Sequence, residues 1–242
     1  MTRQEFSDQF DVLLNSYDIQ ASFGEGASRQ DIVLDEYEKS VLLTQSQDDV
    51  VIDLYTGKNA YGDSFERTEE LRRYLSELVS EVQLSPTRNS TGVLGIGSNS
   101  KFFTLPKDLW FITYEQVNVS DAKCEGSSAL DVVPVTQDEY HKIKRNPFRG
   151  ASGRRALRLD LADGVIEIVS KLTVISYYVR YLKEPKPIIL VDLPTNLSIK
   201  NLSVATECEL HPAIHQRILG HAVELALKRK ITGGGGAGSN NK

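Results

Sequence analysis

The sequence has few residues of the kinds that carry chemistry. Only two of its 242 residues are cysteine, and Cys124 and Cys208 stand far apart. Neither belongs to a Cys-x-x-Cys pair, which excludes a zinc ribbon and a thioredoxin-like motif, and both are expected as free thiols. No run of about 18 apolar residues occurs, and no basic segment leads into an apolar stretch after Met1. No membrane span or signal peptide is therefore predicted, and we expect synthesis in the cytoplasm.

Catalytic and cofactor motifs are missing as well. There is no Gly-x-Ser-x-Gly elbow. Residues 92–101 contain three glycines but lack the spacing of a nucleotide-binding motif, so we interpret them as a loop. His211 and His215 lie one helical turn apart without the glutamate or further ligands of a zinc site. We expect no catalytic residue, cofactor or metal ion. A hydrolase-like enzyme and a monomeric accessory or DNA-binding module remain the alternatives to a structural protein.

The charge balance is mildly acidic. The chain carries 28 Lys and Arg against 33 Asp and Glu, a net charge of −5. Nucleic-acid-binding proteins usually show a basic excess on one face, so this balance argues against such a role while leaving room for a local basic patch.

The first third of the chain has helical patterns. Phe6, Phe10 and Leu13 or Leu14 recur at helical spacing, which predicts a short amphipathic helix over residues 3–15. A longer helix is predicted over residues 31–55, ended by Gly57. A third is predicted from a capping-box variant at residues 63–66 and a leucine stripe. The stripe consists of Leu71, Leu75 and Leu78.

Extended patterns follow Pro86. Strands are predicted over residues 101–104, 109–119, 130–135 and 156–160, and Thr136 is predicted to cap a short helix over residues 137–145. The β-branched and aromatic run of residues 164–190 predicts the core of the sheet. A closing helix over residues 211–229, with Pro212 in its first turn, is expected to pack on that sheet.

These elements together predict an α+β fold with a mostly antiparallel sheet. We predict an N-terminal helical region over residues 1–83, a β-rich domain over 84–204 and a C-terminal helix over 205–230. Residues 231–242 are low in complexity and are predicted to form a disordered tail.

Two polar segments are candidate contact surfaces. The middle of the second helix offers little to a core, so it either faces water or meets a partner. The basic loop at residues 146–155 surrounds an aromatic residue, and arginine and aromatic side chains are common at interfaces. A solvated loop, a protein contact and contact with DNA phosphates are the alternatives for this loop. The candidate interface residues are Thr44, Gln45, Gln47, Asp48, Arg145, Asn146, Phe148, Arg149, Arg154 and Arg155.

Several motifs resemble virion structural proteins of crAss-like tailed bacteriophages. They are LDEYEKS at residues 34–40, LPKDLWFITYE at 105–115, PVTQDEYH at 134–141, NPFRG at 146–150, YLKEPKPIIL at 181–190 and ECELHPAIH at 207–215. More loosely, the layout is similar to head-to-tail adaptor or ring proteins of short-tailed phages. The resemblance covers about residues 34–229.

The resemblance implies a mechanical role and no catalytic residue. It implies that copies form a ring in the tail or head-to-tail connector of the virion, twelve by analogy with portal symmetry. Such a ring would extend the portal channel, contact the portal or other tail ring proteins, and let genomic DNA pass along an acidic lumen without reading its sequence. The level of the ring in the tail and its exact neighbours stay open.

Overall fold

A computed structural model describes residues 1–21, 33–58, 64–65, 67–89, 100–121 and 124–233. The helices in these ranges are α1 (Arg3–Ala21), α2 (Glu36–Thr56), α3 (Glu69–Tyr74), α4 (Gln137–Ile143) and α5 (His215–Gly233). The strands in these ranges are β1 (Val79–Leu84), β2 (Arg88–Asn89), β3 (Lys101–Thr104), β4 (Leu109–Asp121), β5 (Cys124–Val135), β6 (Arg155–Asp160), β7 (Val165–Val169) and β8 (Thr173–Lys183). The predicted α+β class is confirmed.

Contacts divide the chain into two compact units. The helical unit comprises Met1–Leu78 and Pro185–Lys242, and the sheet unit comprises Val79–Glu184. The domain boundaries predicted from the sequence follow changes of element type along the chain instead, and they stay a prediction. Helix α5 extends through residue 233, so the first three residues of the predicted tail are helical, while residues 234–242 lie outside the described ranges.

Helix α2 begins and ends where local hydrogen bonds require it. Asp35 accepts from the Glu38 amide at 2.6 Å while the Glu38 side chain accepts from the Asp35 amide at 3.1 Å, a reciprocal capping box. Gly57 ends the helix with φ of 81°, a left-handed conformation that glycine adopts at low cost. The predicted end is therefore confirmed. The helix begins at residue 36, five residues later than predicted, because the capping box places its N-cap at Asp35.

One face of the polar middle of α2 is buried and binds a neighbouring extended segment. Ser40 Oγ accepts from Leu190 N at 3.1 Å and Thr44 Oγ1 accepts from Ile188 N at 3.1 Å. Gln47 Nε2 donates to Lys186 O at 2.8 Å. The sequence left water and a partner as alternatives for this stretch. At Thr44 and Gln47 the polar groups instead bond to the backbone of residues 186–190 of the same chain.

Helices α1, α2 and α5 pack together in the helical unit. Ser46 Oγ, fully buried, donates to Ile218 O on α5 at 2.6 Å. Lys39 is buried between α1 and α2, where its ammonium lies 2.7 Å from Asp11 and 3.0 Å from Glu36. The apolar stripe predicted for α1 is confirmed as buried, through Phe6, Phe10 and Leu14. Helical spacing in the closing helix predicts a second stripe of Ile214, Ile218, Ala222 and Leu225. The first three of these are buried and Leu225 is half-buried.

Helix α5 and the start of α3 differ in how far the structure tests them. Helix α5 belongs to the helical unit, where α1 and α2 are its neighbours, and its expected packing on the sheet stays a prediction. The two residues of the predicted cap, Asp63 and Glu66, lie outside the described residues. Helix α3 is capped by Thr68, whose hydroxyl accepts from Leu71 N at 3.3 Å. Leu71, Leu75 and Leu78 are buried as predicted.

The described strands form one sheet in the order β1-β8-β4-β5-β6-β7-β3-β2. Neighbouring strands run antiparallel except β5 and β6, which are parallel and joined through α4. The predicted strands appear as β3 to β6, and the apolar run predicted as sheet core forms β7 and β8. Its last six residues, 185–190, instead belong to the helical unit.

The two faces of the sheet have separate apolar cores. One face buries Phe103, Val117, Ile168 and Tyr177 among others. On the other face, Tyr140 of α4 packs over Leu157 and Leu159 on β6 and Val169 on β7. Helix α4 ends two residues earlier than predicted, and the Thr136 side chain makes no capping hydrogen bond.

A buried ionic group joins three strands. Arg158 on β6 lies 2.8 Å from a Glu115 carboxylate oxygen on β4, and the Tyr177 hydroxyl on β8 donates to the same oxygen at 2.8 Å. About a tenth of each charged side chain is exposed. Burial raises the pKa of Glu115, and the positive charge of Arg158 opposes that rise.

We expect Arg158→Met to destabilise the protein by about 3–5 kcal/mol, because it leaves the Glu115 carboxylate buried without its cation. Adding Glu115→Gln should recover part of this loss, since the buried charge is then removed. Urea unfolding of the single and the double variant measures both effects. The exposed variant Arg154→Met is the control, and its stability is expected within about 0.5 kcal/mol of the parent. Equal losses in the single and double variants would contradict the pairing.

Buried His215 is expected to make the stability depend on pH. The N-terminal ammonium of Met1 lies 2.8 Å from its Nδ1 and Leu210 O lies 2.8 Å from its Nε2, an arrangement that suits the neutral ring with its proton on Nε2. Burial lowers the pKa of His215 more than the hydrogen bond to Leu210 raises it. The unfolded chain therefore takes up this proton at higher pH than the folded chain, so stability should fall as pH drops below about 6.5. Urea midpoints from pH 7.5 to 5.5 should fall less steeply in His215→Gln, and equal slopes would count against this role.

Candidate functional site

The basic loop at residues 146–155, which we call the arginine loop, lies between α4 and the start of β6. It completes the connection from β5 through α4 to β6, which is the one described crossover between parallel strands. Asp131 N on β5 donates to Arg154 O at 3.3 Å. The ends of the loop are therefore fixed by a helix on one side and two paired strands on the other.

Internal hydrogen bonds give the arginine loop a defined shape. Asn146 Oδ1 accepts from the amides of Phe148 at 2.9 Å and Arg149 at 3.2 Å, and Asn146 O accepts from Gly150 N at 2.8 Å. The Arg155 guanidinium donates to Phe148 O at 2.9 Å. Such bonds restrict the free loop to few conformations, so the loop would lose less conformational entropy on binding a partner.

This shaped loop presents an aromatic ring to solvent. Phe148 is 86% exposed, the most exposed aromatic side chain among the described residues. Arg145, Arg149 and Arg154 are exposed around it, whereas Arg155 is half-buried and bonded to the loop backbone. Arg155 thus supports the loop, and the other three arginines and Phe148 form its outer surface.

The four candidates on α2 belong to the helical unit, whereas the arginine loop belongs to the sheet unit. Thr44 and Gln47 are 4% and 0% exposed and are used inside the helical unit, so in this fold they offer no surface to another chain. Gln45 is exposed and accepts from Arg229 at 2.7 Å, and Asp48 lies 2.8 Å from the Lys200 ammonium. A contact role for Gln45 and Asp48 stays a prediction.

A second exposed surface was missed in the sequence. The antiparallel bridge between Ile189 and Thr206 and the bond from Leu193 N to Ser203 O hold the segments that carry Val191 and Val204 side by side. Val191 is 45% and Val204 66% exposed. The apolar run predicted from the sequence ends at residue 190, so Val191 belongs to no predicted element.

Beside this pair lies a groove of about 640 Å³, which we call the valine groove. Leu190, Val191 and Ala205 supply apolar walls, and Asp192 and Glu207 supply carboxylates. A second groove of about 620 Å³ lies between α3 and the start of α5, lined by Glu69, Glu70, Arg73, Tyr74, His211 and Ala213.

Neither groove has the features of a catalytic centre. Across the described ranges, no three His, Cys, Asp or Glu side chains are grouped so as to hold a metal ion. Cys208 is a free thiol whose pKa burial raises to about 11, so it is poorly suited to act as a nucleophile. Among the helices described, none combines the length and apolar character needed to span a membrane.

Comparison with known proteins finds similar sequences over nearly the whole chain. Residues 1–237 match the model of the phage tail ring protein 3/4 family. Ring protein 3 of Bacteroides phage crAss001 is 48% identical over 238 residues, which are 96% of this chain and 99% of that protein. Ring protein 4/5 of the same phage is 31% identical over 235 residues, which are 93% of this chain and 92% of that protein.

The shape of the arginine loop should depend on Gly150. A Cβ at this position would lie 2.8 Å from Asn146 O, a backbone atom, whereas a Cβ at Gly153 would meet nothing within 4 Å. Gly150→Ala is therefore expected to cost about 1–3 kcal/mol and to speed amide exchange at Phe148 and Arg149. The matched control Gly153→Ala should stay within about 0.5 kcal/mol of the parent. Hydrogen exchange and urea unfolding test this, and two variants with the same behaviour would contradict a fixed loop.

Proposed function

Because the chain belongs to the phage tail ring protein 3/4 family, we propose that its copies close into a ring that extends the portal channel of a crAss-like phage and docks further tail proteins. The family fixes the coarser role, that of a structural tail ring protein of the virion. The single observation that carries the finer proposal is the exposed and internally braced arginine loop.

The family match also supports a position in the tail. Two proteins of one phage, named ring protein 3 and ring protein 4/5, match nearly the full length of this chain. The higher identity is with ring protein 3, 48% against 31%. We therefore favour the level of ring protein 3 for this chain, with a related ring as one of its neighbours.

A closed ring needs two different surfaces on each subunit. In a head-to-tail ring, one patch of each copy binds an unlike patch of the next, and the assembly closes when the rotation between copies divides a full turn. The arginine loop suits one of these patches, because aromatic and arginine side chains supply much of the binding energy at protein interfaces. Twelve copies would match the symmetry inferred from portal proteins.

The passage of DNA follows from the same arrangement. A net charge of −5 suits a channel wall that repels phosphates and lets DNA slide without sequence-specific binding. An image of the ring with a basic inner wall would overturn this part of the proposal. Electron microscopy of the virion also measures the copy number, as the rotational symmetry of the ring.

The names of the family members imply a non-enzymatic role. A hydrolase would need titratable groups that converge in a pocket, and in the described part of the chain neither groove brings together such a set. A monomeric accessory protein or DNA-binding module would be absent from purified virions. Mass measurement of virions separates these alternatives from a ring subunit, which is present at fixed copy number.

The double variant Phe148→Ala, Arg149→Glu should lower incorporation into particles. It removes an exposed ring that would bury apolar area worth about 1.5–3 kcal/mol and reverses a neighbouring charge, so we expect at least a tenfold loss, about 1.4 kcal/mol. Quantitative mass spectrometry of particles gives the copy number. The matched control is Val33→Ala, Arg72→Glu, since Val33 is 87% exposed, close to the 86% of Phe148, and Arg72 is exposed as well.

The control pair should be incorporated as the parent is. Normal stoichiometry with the Phe148 and Arg149 variant would show that the arginine loop is not a ring contact. Loss of both variants would point to general sensitivity of assembly to surface charge, and would likewise count against a specific role of the loop.

A further inference from the structure

The two units of the chain carry opposite charge. The sheet unit has 14 Lys and Arg against 12 Asp and Glu, while the helical unit has the other 14 against 21. The arginine loop belongs to the sheet unit and the valine groove to the helical unit. Charges of this distribution favour contact between the sheet unit of one copy and the helical unit of another.

The valine groove presents aliphatic side chains that suit the aromatic ring of Phe148 in the arginine loop. Exposed Val191 lines the groove, and exposed Val204 directly precedes Ala205, which also lines it. Aliphatic side chains of this kind pack well against an aromatic ring. Exposed apolar groups that are adjacent and bordered by polar residues often mark a protein contact.

Two carboxylates at the groove can receive arginines. The Glu207 side chain is 67% exposed and lies in a long ion pair, 4.0 Å from Arg3. Asp192 is exposed, and its Oδ1 accepts from Ala205 N at 2.8 Å. The other carboxylate oxygen can accept a hydrogen bond from an arginine. Glu36 also lines the groove but already lies 3.0 Å from the Lys39 ammonium.

We propose that Phe148 of one copy docks against Val191 and Val204 in the valine groove of the next copy, with Arg149 and Arg154 binding Asp192 and Glu207. This inference rests on the proposed ring and names its two unlike surfaces. The contact is heterologous, so it repeats from copy to copy, and it closes into a ring when the rotation between copies divides a full turn.

The groove at α3 is the competing receptor. It also carries carboxylates, Glu69 and Glu70, but Tyr74 already donates its hydroxyl to Glu70 and packs its ring 5.9 Å from that of His211. No large apolar side chain with an exposed surface of the Val191 and Val204 kind lines it. The valine groove is therefore the better match for Phe148.

Disulfide cross-linking within particles tests the pairing. Particles are assembled with a chain that carries Phe148→Cys and Val191→Cys in a background of Cys124→Ser and Cys208→Ala. After oxidation, a non-reducing denaturing gel should show a ladder of covalent multimers, because each copy is joined to the next at both surfaces. The single variants should give no ladder, and Phe148→Cys with Ala213→Cys, at the competing groove, is the matched control.

Each other outcome has a distinct meaning. A ladder from the Ala213 pair, a cross-link inside single chains, or no ladder from particles that contain the chain would overturn this docking while leaving the ring intact. Absence of the unmodified chain from particles would overturn the proposed function itself.

A charge exchange gives an independent readout. Arg149→Glu with Arg154→Glu should lower incorporation about tenfold. Adding Asp192→Arg and Glu207→Arg to the same chain should restore it to within about threefold of the parent, because the ion pairs re-form with reversed sign. Failure of this restoration in a folded chain would overturn the proposed partners.

Discussion

The helical unit depends on hydrogen bonds between one helix and one extended segment. Residues 186–190 are extended and largely buried, and a buried backbone must find partners for its amides and carbonyls. Helix α2 supplies them through Ser40, Thr44 and Gln47, which bond to Leu190, Ile188 and Lys186 in turn. Four helical residues rise about 6 Å, close to the roughly 6.6 Å between alternate residues of an extended chain. A helix can therefore satisfy every second residue of such a segment, as a neighbouring strand would.

This interaction explains which parts of the fold could be predicted. The stripes of α1 and α5 and the strands β3 to β6 follow from apolar periodicity, which is a local property of the sequence. The burial of Thr44 and Gln47 could not be read in the same way, because it depends on a segment about 140 residues later in the chain. The spacing of Ser40, Thr44 and Gln47 by four and three residues was nevertheless visible, and it is the spacing of one helix face.

The candidate site was predictable for a different reason. The asparagine, glycine and arginines of the arginine loop were recognised by composition, and Phe148 is exposed as a contact residue requires. What composition could not separate is support from contact: Arg155 bonds to the backbone of the loop, whereas Arg149 and Arg154 face solvent. The valine groove was missed because Val191 and Val204 lie 13 positions apart in the sequence and meet only through the pairing of residues 189 and 206.

A braced loop suits a ring better than a loose one does. A subunit in a ring must bind its neighbours at both sides in one geometry, so an error in the shape of one contact accumulates around the circle and prevents closure. Ordering a flexible loop at each contact would also cost about 0.5–1.5 kcal/mol for every long side chain fixed. Asn146 and Arg155 already fix the backbone that carries Phe148, at 2.9 Å in both cases. If the arginine loop is the ring contact proposed above, much of that entropic cost falls on folding of the subunit, and more of the free energy of each contact is left to close the ring.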